Sequence, residues 1–167
     1  MQRNLKFFLL AFVWLSLIIL GVIGLAKYKS TPGESVKAQS SWPKASHIVK
    51  TTRQPTYLIF LHPYCACSSA SIGELERLMP LLKDKVEIKV IFLRPPARSI
   101  KWVQSSLWNR TKNIPGISVM IDLNGIEADI FGAATSGQTY LYDERGNLVF
   151  SGGITPARGH MGDSLGR

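Results

Sequence analysis

The feature that most constrains this chain is an uninterrupted apolar run near its N-terminus. From Phe7 to Ala26, twenty residues, no side chain is charged and only Ser16 is polar. At about 1.5 Å of rise per residue, a helix of this length spans roughly 30 Å, the thickness of a hydrocarbon core. The run therefore predicts one membrane-spanning helix within an anchor made of residues 1–29, and it removes that segment from any globular core.

A cleaved signal peptide and a buried soluble helix are the alternatives for this run. Gly24–Ala26 offers a small-residue cleavage site, but the apolar part of a signal peptide is usually only about 7–15 residues long. The length therefore favours an uncleaved anchor. Basic residues flank both ends of the run, so the positive-inside rule does not decide the orientation. We expect the short N-terminal tail to stay in the cytoplasm and the domain to lie on the extracytoplasmic, periplasmic side.

The remainder of the chain divides into a predicted linker and a predicted domain. Residues 30–55 contain proline, glycine and serine without apolar periodicity, which is typical of a linker. Residues 56–167 alternate between apolar runs and helical patterns. The predicted strands are 57–61, 86–93, 117–121, 139–142 and 148–150. One helix is predicted after the first strand, with Pro80 ending or bending it, and two more are predicted over 100–110 and 125–131. This order predicts an α/β fold with parallel central strands, helices on both faces and a terminal antiparallel hairpin.

The chain has only two cysteines, Cys65 and Cys67, separated by one residue. A secreted disulfide scaffold would carry more cysteines at wider spacings. The pair is therefore predicted to be reactive, metal-binding or both. It follows a predicted strand and precedes a predicted helix, whose first turn presents free N–H groups and a partial positive charge. Both favour a thiolate, the nucleophilic form of cysteine.

The net charge of +9 does not indicate a particular class of partner. The flanks of the apolar run supply four of these charges, and the others are spread thinly along the chain. No basic stripe interleaved with aromatic residues is present, so we predict no nucleic-acid partner. The glycine-rich tail lacks the Gly-Lys-Ser/Thr of a phosphate loop, so nucleotide binding is unsupported. We predict that the protein uses no cofactor.

Around the cysteines the chain resembles the redox-active segment of the thioredoxin superfamily. Phe60 lies five residues before Cys65, Tyr64 lies immediately before it, and a helix is predicted to follow. The segments 122–132 and 139–146 are similar to the membrane-tethered, TlpA/ResA-like thiol-disulfide oxidoreductases. Two further segments resemble bacterial proteins labelled RedB. They are His-Pro-Tyr-Cys-Ala-Cys and the stretch from Gly-Ala-Ala-Thr-Ser-Gly-Gln-Thr to Gly-Gly-Ile-Thr.

The resemblance implies a fold, an activity and a class of partner. The fold would be thioredoxin-like, with a central mixed sheet flanked by helices. The activity would be thiol-disulfide exchange outside the cytoplasm, in which Cys65 attacks and Cys67 resolves the mixed disulfide. The partners would be protein thiols or a redox partner protein, with the membrane contacted through the N-terminal helix.

This sequence departs from the family pattern at two places. The family has Cys-x-x-Cys, whereas Cys65 and Cys67 are two apart and would point about 200° away from each other on an ideal helix. A disulfide between them therefore predicts non-helical backbone at Ala66 and a small, strained ring that raises the reduction potential, as in an oxidising or isomerising pair. Gln138 aligns with the family's cis-proline, which predicts a trans loop with the Gln138 amide near the sulfurs.

Other functional hypotheses use neighbouring residues. His62, Cys65 and Cys67 would suit Cu(I) or Zn²⁺, which gives a metal-binding or metallochaperone module as the alternative function. In the tail, Arg158 or His160 would lie beside the cysteines if residues 152–160 are more than a flexible loop closing the domain. A thiol peroxidase ranks lowest, because the threonine expected three residues before the attacking cysteine is missing.

Overall fold

The computed structural model describes residues 2–31 and 36–162. The chain divides into two units, Met1–Pro32 and Gly33–Arg167. Part of the predicted linker, residues 32–35, and the end of the predicted domain, residues 163–167, lie outside the described residues.

The first unit contains one helix, α1 (Gln2–Ser30). Within it, Lys6–Tyr28 is long and apolar enough to cross a membrane, and none of this stretch is buried inside the protein. A membrane anchor and an N-terminal signal sequence share these properties.

The second unit contains the predicted alternation of strands and helices. Its elements are β1 (Thr56–Leu61), α2 (Ala66–Leu82), β2 (Glu87–Arg94), α3 (Ile100–Val103), α4 (Ser106–Lys112), β3 (Ile117–Leu123), α5 (Ile126–Phe131), β4 (Gln138–Tyr142) and β5 (Leu148–Gly152). The strands form one five-stranded sheet in the order β3-β2-β1-β4-β5. Strand β2 pairs in parallel with both β1 and β3, whereas β4 pairs antiparallel with both β1 and β5. The predicted α/β fold with a mixed sheet is therefore confirmed.

Strand β1 lies at the centre of the sheet and is buried along all of its length. Because successive side chains of a strand point to opposite faces, β1 contributes to two cores. Tyr57, Ile59 and Leu61 pack with α2, α3 and α4 on one face, whereas Leu58 and Phe60 pack with α5 on the other. Burial on both faces explains why this strand reads as a continuous apolar run.

Two helices differ in detail from the prediction. Helix α2 continues past Pro80 to Leu82, so this proline does not end it. The single helix predicted over 100–110 is two short helices, because Ser105 has an extended backbone and caps α4 by accepting a hydrogen bond from Trp108 N. A serine at this position satisfies one of the free N–H groups of the helix start.

Residues upstream of the predicted domain start at residue 56 contribute to the core. Ile48 is 3% exposed. The Trp42 ring lies 5.2 Å from the rings of both Phe131 and Tyr142, edge to face. Much of the segment predicted as a linker is thus packed against the sheet and α5.

Candidate active site

The two cysteines lie where β1 ends and α2 begins, as the sequence predicts. Cys65 is the N-cap residue of α2, with an extended backbone (φ −92°, ψ 132°), and Ala66 is the first helical residue. With both thiols free, Ala66 is helical and the departure from the helix lies at Cys65, one residue earlier. The non-helical backbone predicted at Ala66 concerns the disulfide form and stays a prediction. Both cysteines are free thiols of intermediate exposure, and the Cys67 side chain is hydrogen-bonded to Cys65.

The surroundings of the two thiols shift their pKa values in opposite directions. Burial raises the pKa of the Cys65 thiol, but hydrogen bonds from the backbone of Ser68 and Cys67 outweigh it. Side-chain hydrogen bonds from Cys67 and Ser136 act in the same direction, so the pKa of Cys65 is below its ordinary value. Burial, the hydrogen bond to Cys65 and the charge of Cys65 raise the pKa of Cys67, although the Gly159 N–H and Arg158 partly oppose them. Cys65 therefore ionises first, while Cys67 keeps its proton.

Two serines that sequence reasoning missed lie next to Cys65. The Ser68 hydroxyl donates to His62 O at 2.7 Å and lies 2.6 Å from the Ser136 hydroxyl. The His62 N–H donates to Ser136 Oγ at 2.9 Å. Ser136 comes from the loop before β4, which the resemblance placed opposite the cysteines, so its position in the sequence was the available signal.

Gly137 allows that loop to approach closely. Its φ is +94°, and a Cβ there would lie 2.7 Å from Ser71 Oγ. Its N–H donates to Phe60 O at 2.8 Å. Glycine is the residue that adopts this backbone without steric cost, so Gly137 holds Ser136 against the start of α2.

Two of the solved structures that are similar to this chain illustrate the likeness, each at a TM-score above 0.5. A hypothetical protein from Sinorhizobium meliloti gives 0.57 at 16% identity, covering 78% of this chain and 79% of that one. An uncharacterized conserved protein from Geobacillus kaustophilus gives 0.54 at 17% identity, covering 81% and 76%. These likenesses show the fold. Three features of the chain agree with them: the β1–α2–β2 unit, the β4–β5 hairpin and the cysteine pair between β1 and α2.

The fold is thioredoxin-like. A thioredoxin-like protein from Aeropyrum pernix is also similar, with a TM-score of 0.49, 14% identity, and coverage of 70% of this chain and 81% of that one. The narrower resemblance to RedB-labelled proteins has no support among these matches. No protein-family model and no curated protein matches the sequence.

In this thioredoxin-like domain His62 faces aromatic residues. Its Nδ1 accepts a hydrogen bond from Tyr64 N at 3.2 Å, and its ring lies 5.5 Å from that of Trp102. Within residues 2–31 and 36–162, no group of three or more His, Cys, Asp or Glu side chains is placed to hold a metal ion. The structure therefore does not assemble His62, Cys65 and Cys67 as the ligand set that the alternative hypothesis requires.

The Gln138 side chain is engaged within the hairpin of the thioredoxin-like domain. Its Nε2 donates to Ser151 Oγ at 3.3 Å, and its Oε1 accepts from Thr135 Oγ1 at 3.5 Å. The described residues contain no cis peptide bond, which agrees with the expectation for this loop. The loop residue that contacts Cys65 is Ser136 rather than Gln138.

The segment after β5 returns to the cysteines. The Gly159 N–H is hydrogen-bonded to Cys67, and the charge of Arg158 acts on the same thiol. A Cβ at Gly159 would lie 3.5 Å from Ala66 Cβ. The His160 N–H donates to Ala157 O at 3.2 Å within this turn. The structure thus brings Arg158 to the pair, and the backbone of His160 closes the turn that follows Arg158.

Proposed function

We propose that this protein is a thiol-disulfide oxidoreductase that uses Cys65 and Cys67. The observation that carries the proposal is that two thiols in contact at a helix N-terminus have pKa values shifted in opposite directions. An attacking thiol must be a thiolate, and a resolving thiol must wait protonated until the mixed disulfide forms. The pKa of Cys65 is lowered and that of Cys67 is raised, in the order that this division of labour requires.

The proposed reaction begins when the Cys65 thiolate attacks one sulfur of a partner disulfide. A bond forms between Cys65 Sγ and that sulfur, and the other partner sulfur leaves as a thiolate. Cys67 then loses its proton to water and attacks Cys65 Sγ, which releases the second partner thiolate. The protein is oxidised by two electrons and the partner disulfide is reduced by two, and the reverse sequence oxidises a partner dithiol. Because the two cysteines carry the electrons, the proposed cycle uses no cofactor.

The Cys-x-Cys spacing bears on the direction of exchange. One fewer residue in the ring makes the disulfide smaller than that of the family pattern, and strain in a disulfide makes it easier to reduce. We therefore propose an oxidising or isomerising role toward protein thiols or a redox partner protein.

We propose that the protein works at a membrane with its domain outside the cytoplasm. Helix α1 is long and apolar enough to span a bilayer. A disulfide-forming pair also suits an oxidising compartment better than the cytosol.

Thiol exchange is tested with full-length protein in neutral detergent and a neutral aromatic disulfide, 4,4′-dithiodipyridine. Reduced protein is expected to release two equivalents of pyridinethione per chain, and the rate is expected to rise with pH to a plateau at a pH below that of an ordinary thiol. The lowered pKa of Cys65 gives this sign, because its thiolate is populated earlier as pH rises. Ser136→Ala removes a donor to Cys65 and should move the midpoint upward, whereas Ser106→Ala, on the exposed surface of α4, should not. A midpoint at or above that of free cysteine contradicts the proposal.

The location is tested with a membrane-impermeant maleimide on intact bacterial cells that have a permeabilised outer membrane. We expect Cys65 and Cys67 to be labelled without lysis, because they would face the outside. A Gln2→Cys variant in a Cys65→Ser/Cys67→Ser background is the control and should be labelled only after lysis. Labelling in the opposite order would place the domain in the cytoplasm.

A further inference from the structure

An exposed patch that combines aromatic and cationic side chains borders Cys65. It consists of Tyr64, Arg98, Lys101 and Trp102, and we call it the aromatic–cationic patch. Tyr64 is 60% exposed although it immediately precedes Cys65. Arg98 and Lys101 are exposed as well, and Trp102 is half-buried. Large exposed aromatic side chains beside a reactive residue are typical of a contact surface.

The patch is held in place by contacts between the cysteine loop and α3. The Tyr64 hydroxyl donates to Trp102 O at 2.9 Å, and the two rings lie 4.9 Å apart. The guanidinium of Arg98 lies over the Trp102 ring, 5.5 Å from its centroid. Behind the patch, the Ser105 hydroxyl donates to Pro63 O at 3.2 Å. A cation stacked on an indole is preorganised, so less conformational entropy is lost when it binds an anion.

The charge around Cys65 has one sign. The segments 61–71, 94–102 and 133–138 contain no aspartate or glutamate. Among the acidic residues of the neighbouring elements, Asp122 is 2% exposed and accepts from the N–H groups of Glu127 and Ala128 at the start of α5. On α2, Glu76 pairs with Arg110 at 2.6 Å. The patch is therefore a positively charged surface with no opposing carboxylate on the adjoining loops.

We propose that the aromatic–cationic patch binds an acidic segment that flanks the reacting cysteine of the partner protein. This inference rests on the proposed thiol-disulfide exchange at Cys65 and adds the chemistry of the partner. Carboxylates of the segment pair with Arg98 and Lys101 while its apolar groups contact Tyr64 and Trp102. Complementary charge of this kind mainly raises the association rate and selects among partners.

The test uses three short peptides whose single cysteine is joined to 2-thiopyridine as a mixed disulfide. The cysteine is flanked by aspartates, lysines or serines, and the peptides are otherwise identical. Attack by Cys65 forms the protein–peptide disulfide and releases 2-thiopyridone, which is measured by absorbance. Each rate constant is divided by that for 2-mercaptoethanol with the same peptide, which removes the peptide's own reactivity. Full-length protein in neutral detergent is compared with Arg98→Gln/Lys101→Gln and with Lys83→Gln/Lys85→Gln, a double variant of exposed lysines just after the far end of α2.

We expect the wild-type protein to prefer the aspartate peptide over the lysine peptide by about tenfold or more at low ionic strength, falling toward one in high salt. The Arg98→Gln/Lys101→Gln variant should lose most of this preference, and the Lys83→Gln/Lys85→Gln control should keep it. A wild-type ratio near one, with the serine peptide still consumed, would overturn the acidic-partner inference alone. An equal preference in the Arg98→Gln/Lys101→Gln variant would do the same. No consumption of the serine peptide beyond that of Cys65→Ser would overturn the exchange function and this inference with it.

Discussion

In the Cys67→Ser variant, the reaction with a protein disulfide is expected to stop at a stable mixed disulfide on Cys65. Cys65 keeps its helix N-terminus and the backbone hydrogen bonds from residues 67 and 68, so the first attack proceeds. The second attack has no internal thiol and must wait for a thiol from solution. Because an intramolecular partner is worth a very high effective concentration, turnover should fall by roughly 100-fold or more. Non-reducing electrophoresis and mass spectrometry would detect the trapped species.

The Cys65→Ser variant is the matched control for this trap. It removes the attacking sulfur, so neither turnover nor a mixed disulfide is expected. Cys67 would remain with a pKa raised chiefly by burial, although the contribution of the Cys65 charge to that shift would be gone. A trap that formed on Cys67 of Cys65→Ser, and not on Cys65 of Cys67→Ser, would invert the assigned roles.

Truncation of Phe131 to alanine is expected to cost about 3–5 kcal/mol of unfolding free energy. Phe131 is fully buried. Its ring packs at 5.2 Å from Trp42, 5.7 Å from Phe60, and 5.9 Å from Tyr142. Removing it leaves a cavity between α5, the sheet and the upstream segment. The loss can be measured by urea unfolding of the full-length protein in neutral detergent, followed by tryptophan fluorescence.

Leu81→Ala provides the comparison, because it removes a large apolar side chain from the surface. Leu81 is 64% exposed in the last turn of α2, and alanine is a good helix former. We expect a change within about 0.5 kcal/mol. A cost for Phe131→Ala as small as this would contradict the assignment of the aromatic cluster to the core.

The strands could be predicted because their burial leaves a direct mark on the sequence. Strand β1 is apolar throughout since both of its faces are covered. Trp42 and Ile48 left no such mark. Both lie in a stretch without apolar periodicity, and their partners belong to the sheet and α5, which are distant in sequence. Contacts of this kind cannot be predicted from the periodicity of apolar residues.

The location of the cysteine pair could be predicted, but its detailed surroundings could not. Strand–helix alternation is enough to place Cys65 at the junction. The contribution of Ser136 depends on a loop 71 residues further along the chain being brought back by β4. The resemblance points to this loop, but the sequence does not show which of its side chains reaches Cys65. The extended backbone at Cys65 depends on where α2 starts, and helix boundaries are the least predictable part of an element.

The extended backbone at Cys65 places one of the two reactive sulfurs just outside the helix that packs into the core. Rotation about the bonds of one residue outside the helix can alter the distance between the sulfurs, while Ile72 and Leu75 of α2 remain anchored in the core. Chemical cycling then need not disturb the packing that keeps the chain folded. We therefore expect nearly additive effects when a substitution that changes the reactivity of Cys65 is combined with one that changes the stability of the core beneath α2.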